Sequence, residues 1–167
     1  MDPEVEYING SDILVNVGGK ATGHSTSHTV TMSSETKERQ VKPVATASKS
    51  ASKWKQKGVT GLGIQIKADG LQVYEETENG FVECSALWGK GKSVEVECYR
   101  RGNSNKPYIK GKFIIDSIEE SDPAQDDATY SISLSNDGEP EIYPGKEEAA
   151  QADPKADAQD GEQVIEQ

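Results

Sequence analysis

The stretch from Tyr108 to Glu139, YIKGKFIIDSIEESDPAQDDATYSISLSNDGE, carries the clearest alternation of apolar and polar positions in the chain. Ile109, Gly111, Phe113 and Ile115 share one face of an extended segment, with Lys110 and Lys112 on the other. Tyr130, Ile132 and Leu134 then alternate with Ser131, Ser133 and Ser135. A period of two predicts a half-buried strand in each case. Asp122-Pro123 interrupts the pairing between them, because proline has no N–H for a ladder, and Asn136-Asp137-Gly138 closes the second strand with turn residues. Ile13, Val15 and Val17 predict an earlier short strand ended by Gly18-Gly19. GLGIQIKADGL predicts another, with Leu62, Ile64 and Ile66 inward and Asp69-Gly70 as a tight turn. In SVEVECYRR, Val94, Val96 and Cys98 oppose Glu95, Glu97 and Tyr99.

Three segments depart from this pattern. From Gly23 the run HSTSHTVTMSS puts Ser25, Ser27, Thr29, Thr31 and Ser33 on one face and His24, Thr26, His28, Val30 and Met32 on the other. A strand this polar on both sides suits a sheet with water along one face and a subunit boundary on the other. From Glu35 to Lys57 the periodicity lapses, which predicts a long connection anchored by Trp54. Between Asn79 and Gly89, Phe81, Cys84, Leu87 and Trp88 recur at helical spacing, predicting one short helix with Asn79 as N-cap and Gly89 at its end.

Composition narrows the class further. With 167 residues, 33% hydrophobic and 6% aromatic, the chain fits one modest β domain over residues 1–142 and a polar extension over 143–167, the boundary falling near Tyr143-Pro144-Gly145. A core this small is a candidate for stabilisation by neighbouring subunits. Of the formal charge of −11, the segment from Glu139 to Gln167 carries −7, so the rest of the chain carries −4. The extension has almost no large apolar residue to offset the entropy of ordering and is expected to be disordered. No apolar run reaches the ~20 residues that cross a bilayer, and MDPEVEYING has neither the basic start nor the apolar core of a signal peptide. A cytoplasmic site of synthesis and no membrane partner are therefore expected.

Candidate chemistry is sparse. Cys84 and Cys98 both fall on apolar faces, which predicts buried, reduced thiols. His24 and His28 have no third ligand nearby, Gly89-Lys90-Gly91-Lys92 lacks the spacing of a phosphate loop, and no Gly-x-Ser-x-Gly elbow exists. The pattern predicts neither an enzyme nor a bound cofactor. Charge asymmetry stands out instead. The 35–57 segment carries seven bases against two acids, Lys49, Lys53, Lys55 and Lys57 clustering about Trp54, while Asp69 to Glu83 carries five acids, Glu75, Glu76 and Glu78 among them, and no base. A basic loop and an acidic edge on one chain permit head-to-tail contact between copies.

The organising stretch resembles the C-terminal signature of the tail tube proteins of long-tailed bacteriophages, through Tyr108, Gly111, Ser117, Asp126 or Asp127, Ala128, Thr129, Tyr130, Ser131, Ser133, Leu134 and Gly138. DILVNVGGKATGHSTSHT resembles that family's opening strand, Gly turn and second strand, and GFVECSALWGKGK its short helix and the strand start that follows. The resemblance covers roughly residues 5–142. It implies an antiparallel β-sandwich or β-barrel with one short helix and a long loop, and a structural virion protein whose hexameric rings stack into a hollow tube that conducts DNA during ejection. Four long strands per copy would give about 24 in a closed barrel of roughly 50 Å diameter. Ser25, Ser27, Thr29, Thr31, Glu95, Glu97, Lys110 and Lys112 would then lie along the lumen or between subunits. Lys49, Lys53, Trp54, Lys55, Lys57, Glu75, Glu76 and Glu78 would mediate ring stacking. The implied partners are further copies of the chain, the tape measure, terminator and baseplate or tip proteins, and double-stranded DNA passing without specific binding. The implied location is the virion tail, assembled in the bacterial cytoplasm. Two alternatives are a tube that carries protein in a phage-like injection apparatus and a monomeric β binding module.

Overall fold

The computed structural model describes residues 7–40, 54–74, 77–102 and 105–146. Seven strands form one antiparallel sheet: β1 (Ile13–Val17), β2 (Lys20–Ala21), β3 (Ser25–Arg39), β4 (Gln56–Leu71), β5 (Val94–Arg100), β6 (Ile109–Ser121) and β7 (Thr129–Asn136). Their order across the sheet is β2-β1-β5-β6-β7-β4-β3. A 3-10 turn, Gly10–Asp12, leads into β1, and Phe81–Gly89 forms α1. The sheet is open, with β2 and β3 at its two sides.

Alternation along the strands collects the apolar side chains on one face. Val15, Val17, Val96, Cys98, Ile109, Phe113, Ile66, Ile132 and Leu134 are buried there, with α1 lying across β6 and β7 and its Cys84 fully buried. Beyond β7 the chain turns back along β6. Ile142 and Lys110 exchange backbone hydrogen bonds of 3.0 and 2.9 Å, and Tyr143 packs against the core. Gly111 makes room for that return, since a Cβ there would stand 2.9 Å from Pro140 Cα.

The structure corrects the boundaries at both ends of the long connection. β3 continues through Arg39 and β4 begins at Gln56, so Glu35–Arg39 and Gln56–Thr60 belong to a paired hairpin that extends past the end of β7. Backbone pairing holds this extension and neither of its faces meets the core, so the hydrophobic period vanishes although the strands persist. Residues 41–53, including the expected positions of Lys49 and Lys53, lie outside the described residues. Trp54 does not anchor the connection within the subunit, being 85% exposed.

Asp69-Gly70 is strand, not turn: both residues pair with β3 on one side and β7 on the other. Glycine is required at 70 because the Tyr130 ring lies directly over it, 2.6 Å from where a Cβ would stand. That approach lets the Tyr130 hydroxyl donate to Gly23 O at 2.5 Å and lie 3.2 Å from Asn79 O. Asn79, expected as N-cap, instead buries its amide, which donates to Val17 O at 2.6 Å and Lys20 O at 2.8 Å. Gly80 is the N-cap residue, and Glu83 accepts from its N–H at 3.1 Å. The helix meets the sheet through Cys84 and Leu87 and leaves Trp88 exposed, while Leu62 lies on the hairpin beyond the core's edge.

Two outcomes are expected. Gly70→Ala should lower stability in urea denaturation by about 1–3 kcal/mol, the usual cost of overpacking. Gly58→Ala, whose Cβ meets nothing within 4 Å, should stay near wild type. Burial pushes the Cys98 thiol up to about 12 and, with help from the Glu83 charge, Cys84 to about 11. Both should therefore resist alkylation in the folded protein and react in urea, as mass spectrometry of the modified chain would show.

Candidate functional site

The face of the sheet turned away from α1 is wet and small-featured. Register places Ser27, Thr29 and Thr31 of β3 opposite Asp69, Lys67 and Gln65 of β4, which in turn oppose Ser131, Ser133 and Ser135 of β7. Farther across the sheet, Lys112 opposes Glu95 and Lys110 opposes Glu97. The structure thus brings seven of the eight expected strand positions onto one surface: Ser27, Thr29, Thr31, Glu95, Glu97, Lys110 and Lys112. The eighth, Ser25, is displaced. A bulge between Ser25 and Ser27 sets Ser25 opposite Gly70, and its hydroxyl lies 2.7 Å from His28 Nε2 on the other side of the sheet.

Lys110 and Asp69 on the open face have partners within the subunit. Lys110 Nζ stands 3.3 Å from Glu97 and 3.6 Å from Glu95, and the Glu97 hydrogen bond with both carboxylate charges holds its pKa above the ordinary lysine value. Partial burial pulls the Asp69 carboxyl upward, but hydrogen bonds from Ser131 and Ser27 and the charges of Lys67 and His28 outweigh it and keep Asp69 below the ordinary carboxylate range. Ser135 donates to Asp116 at 2.8 Å.

Two long edges carry no partner strand among the described residues. β3 is paired on one side only, by β4. β6 meets β5 through Ile109–Phe113 and β7 through Phe113–Ser121, so the β5-side edge of residues 114–121 is open. An unpaired strand edge is a template for another chain.

The hairpin end of β3 and β4 is where Trp54, Lys55 and Lys57 lie. Both ammonium groups reach Glu38, at 3.0 and 3.3 Å. Glu78 lies at the opposite end of the sheet, beside Thr22, Ser25 and His28, and Glu75 and Glu76 are outside the described residues. The sixteen residues of β4 separate the two ends by about 50 Å at ~3.3 Å per residue. At the base of the hairpin, Met32, Leu62, Ile64, Pro140 and Tyr143 line an apolar groove of about 590 Å³. Sequence reasoning missed it because its walls come from β3, β4 and the return after β7. The exposed Met32 and the exposed Leu62 were the available signal.

No curated protein matches the sequence. The model of the phage tail tube protein family matches residues 7–142. Among solved structures, the tail of an empty gene transfer agent particle, refined helically with C6 symmetry, is similar at TM-score 0.61 and 15% identity, over 81% of this chain and 98% of the other. The virion of a native gene transfer agent particle is similar at TM-score 0.60 and 16% identity, over 80% of this chain and 97% of the other. The SPP1 tail tube, solved by solid-state NMR and cryo-EM, is similar at TM-score 0.54 and 17% identity, over 78% and 76%. At these identities the likeness is one of fold.

His28 supplies a pH-dependent prediction. Desolvation lowers its pKa, against a backbone hydrogen bond at Ile13 and the Asp69 charge. The unfolded chain binds the proton at the ordinary value of about 6.5, so its contribution is fully present above that pH and is lost as pH falls toward the lower folded value. The melting temperature should fall as pH drops below about 6.5, and His28→Gln should flatten that slope in a calorimetric series.

Proposed function

The chain belongs to the phage tail tube protein family, and from that premise we propose that its copies close into hexameric rings through their sheets and that the rings stack into the hollow tube DNA traverses. The family is a structural one, and the role is that of a tail tube structural protein. The observation that carries the finer reading is the pair of unpartnered edges on a sheet with one wet face. Four strands, β6, β7, β4 and β3, lie between those edges and alternate in direction. Because four is even, rotation about a common axis sets β3 of one copy antiparallel to β6 of the next, so one ladder type continues around the ring. Six copies give about 24 strands and a backbone diameter of roughly 50 Å. The C6 symmetry of the similar gene transfer agent tail supports that number.

The open face then lines the lumen. Its acids Asp69, Glu95, Glu97, Asp116 and Glu119 outnumber its bases Lys67, Lys110 and Lys112, and Lys67 and Lys110 each stand beside a carboxylate. A mildly acidic wall of hydroxyls, with Lys67 and Lys110 beside carboxylates and Lys112 the remaining cation, gives phosphates little to hold, which suits passage without specific binding. Ring polarity is set by the two ends of the sheet, Trp54, Lys55 and Lys57 on the hairpin side meeting the Glu78 end of the next ring, while Lys49, Lys53, Glu75 and Glu76, expected in the same contact, lie outside the described residues. The acidic extension expected from composition lies, from residue 147 onward, outside the described residues. The tube sits in the virion tail, formed in the bacterial cytoplasm, with tape measure, terminator and baseplate or tip proteins at its length and ends.

Purified protein should form six-fold rings and tubes as its concentration is raised, seen by negative-stain microscopy. A monomeric mass by light scattering at every concentration, with no tubes, would count decisively against the reading. Raised salt should slow tube growth, because exposed charges are screened beyond about 10 Å at 0.1 M ionic strength.

A further inference from the structure

β4 carries an exposed apolar feature toward each end. Near the hairpin is the groove lined by Met32, Leu62, Ile64, Pro140 and Tyr143. Beyond Leu71, at the other end, the chain presents Val73, 39% exposed, and Tyr74, wholly exposed. The base of this projection is fixed: the Gln72 N–H donates to Ala128 O at 2.8 Å, and its side-chain amide donates to Glu120 at 2.8 Å. Two residues beyond that anchor, Tyr74 is exposed, with no cover from the described residues of its own subunit.

We propose that Tyr74, with Val73 beside it, seats in the Leu62–Tyr143 groove of a copy in the adjacent ring, a contact that rests on the ring-and-tube assembly proposed above. A second copy is the occupant because one subunit cannot fill its own groove. Leu62 and Leu71 lie nine residues apart on one continuous strand, about 30 Å at ~3.3 Å per residue. Knob and groove at opposite ends of one element are a heterologous pair, which repeats without closing and therefore builds a filament. The groove volume accommodates a phenol ring and a valine, and a buried tyrosine covers roughly 150–250 Å². Glu139 and Ser33 line the groove and offer acceptors for the phenol O–H.

Charge favours the same pairing. The residues that follow the knob are Glu75, Glu76 and Glu78. The groove is bordered by Lys146, whose ammonium lies 5.5 Å from the Tyr143 ring centroid and 3.2 Å from Glu139, and the hairpin beyond it carries Lys55 and Lys57, which share Glu38. Glu78, four residues beyond Tyr74, comes toward the hairpin lysines when the knob is seated, where two ammonium groups face the single carboxylate of Glu38, and this favours one polarity of the contact.

The test uses the full-length chain carrying both Leu62→Cys and Tyr74→Cys, assembled well above the roughly tenfold raised threshold that loss of the Tyr74 ring entails and then treated with a short bismaleimide. Both positions are exposed, and native Cys84 and Cys98 are buried and unreactive, so folding and background are controlled. A denaturing-gel ladder that runs beyond six copies, absent from either single variant, is the expected result, because only ring-to-ring contact joins more than one hexamer. A ladder ending at six assigns the groove to a neighbour within the ring and overturns the proposal. Tubes that form without any ladder overturn it too while leaving the ring reading intact, whereas failure of the wild-type chain to assemble overturns both. In parallel, Tyr74→Ala should raise the concentration needed for tube growth on the order of tenfold and let rings accumulate, with Tyr74→Phe close to wild type. Wild-type growth by Tyr74→Ala would likewise exclude a seated knob.

Discussion

A sheet has two faces and two edges, and this chain buries only one face. α1 and the return after β7 cover the inward side, using side chains such as Cys84, Leu87 and Tyr143. No described element lies over the opposite face, and β3 and the 114–121 part of β6 keep open ladders. Backbone donors and acceptors at such edges must find water or another chain, and another chain removes the aggregation hazard that a free edge creates. The unusual polarity of the sequence follows from the same constraint. Serine and threonine on β3 and β7 keep strand geometry while presenting a surface that tolerates water.

Within the subunit, tight packing is concentrated where the sheet meets its covering segments. Tyr130 over Gly70 ties β7 and β4 to the segment at Gly23 and Asn79, and Pro140 over Gly111 ties the return to β6. Asn79 then holds the β1–β2 turn through Val17 and Lys20. These contacts lie on the core side, so the wet face is built on a fixed support. The paired charges of that face, the half-buried Lys110 and Glu97 with the exposed Glu95, remain in reach of water and contribute little to stability. Their effect is on the field the surface presents.

The strands with one buried face could be read from the sequence because burial imposes a period of two. Ile109 to Ile115, Tyr130 to Leu134 and Val94 to Cys98 all match their expected faces. The hairpin extension could not be read this way: Thr36–Arg39 and Gln56–Thr60 face water on both sides, so nothing in their polarity distinguishes strand from loop. Gly70 looked like a turn because glycine beside aspartate usually is one, and the Tyr130 that demands it lies sixty residues later. A single bulge removed Ser25 from an otherwise correct set of face positions. The family resemblance survived these local errors because its motif residues, Gly111 and Tyr130 among them, hold close contacts between segments distant in sequence.

The burial of both cysteines has a practical consequence for materials built from this chain. With Cys84 and Cys98 sequestered, a cysteine placed at Ser133 on the open face would be the reactive thiol among the described positions. Dyes, metals or catalysts could be attached to that one surface without first stripping thiols from the core, and in a closed ring the attachment would repeat at a fixed spacing around an enclosed channel. A polymer so decorated would carry its chemistry on the inside and its ordinary surface on the outside.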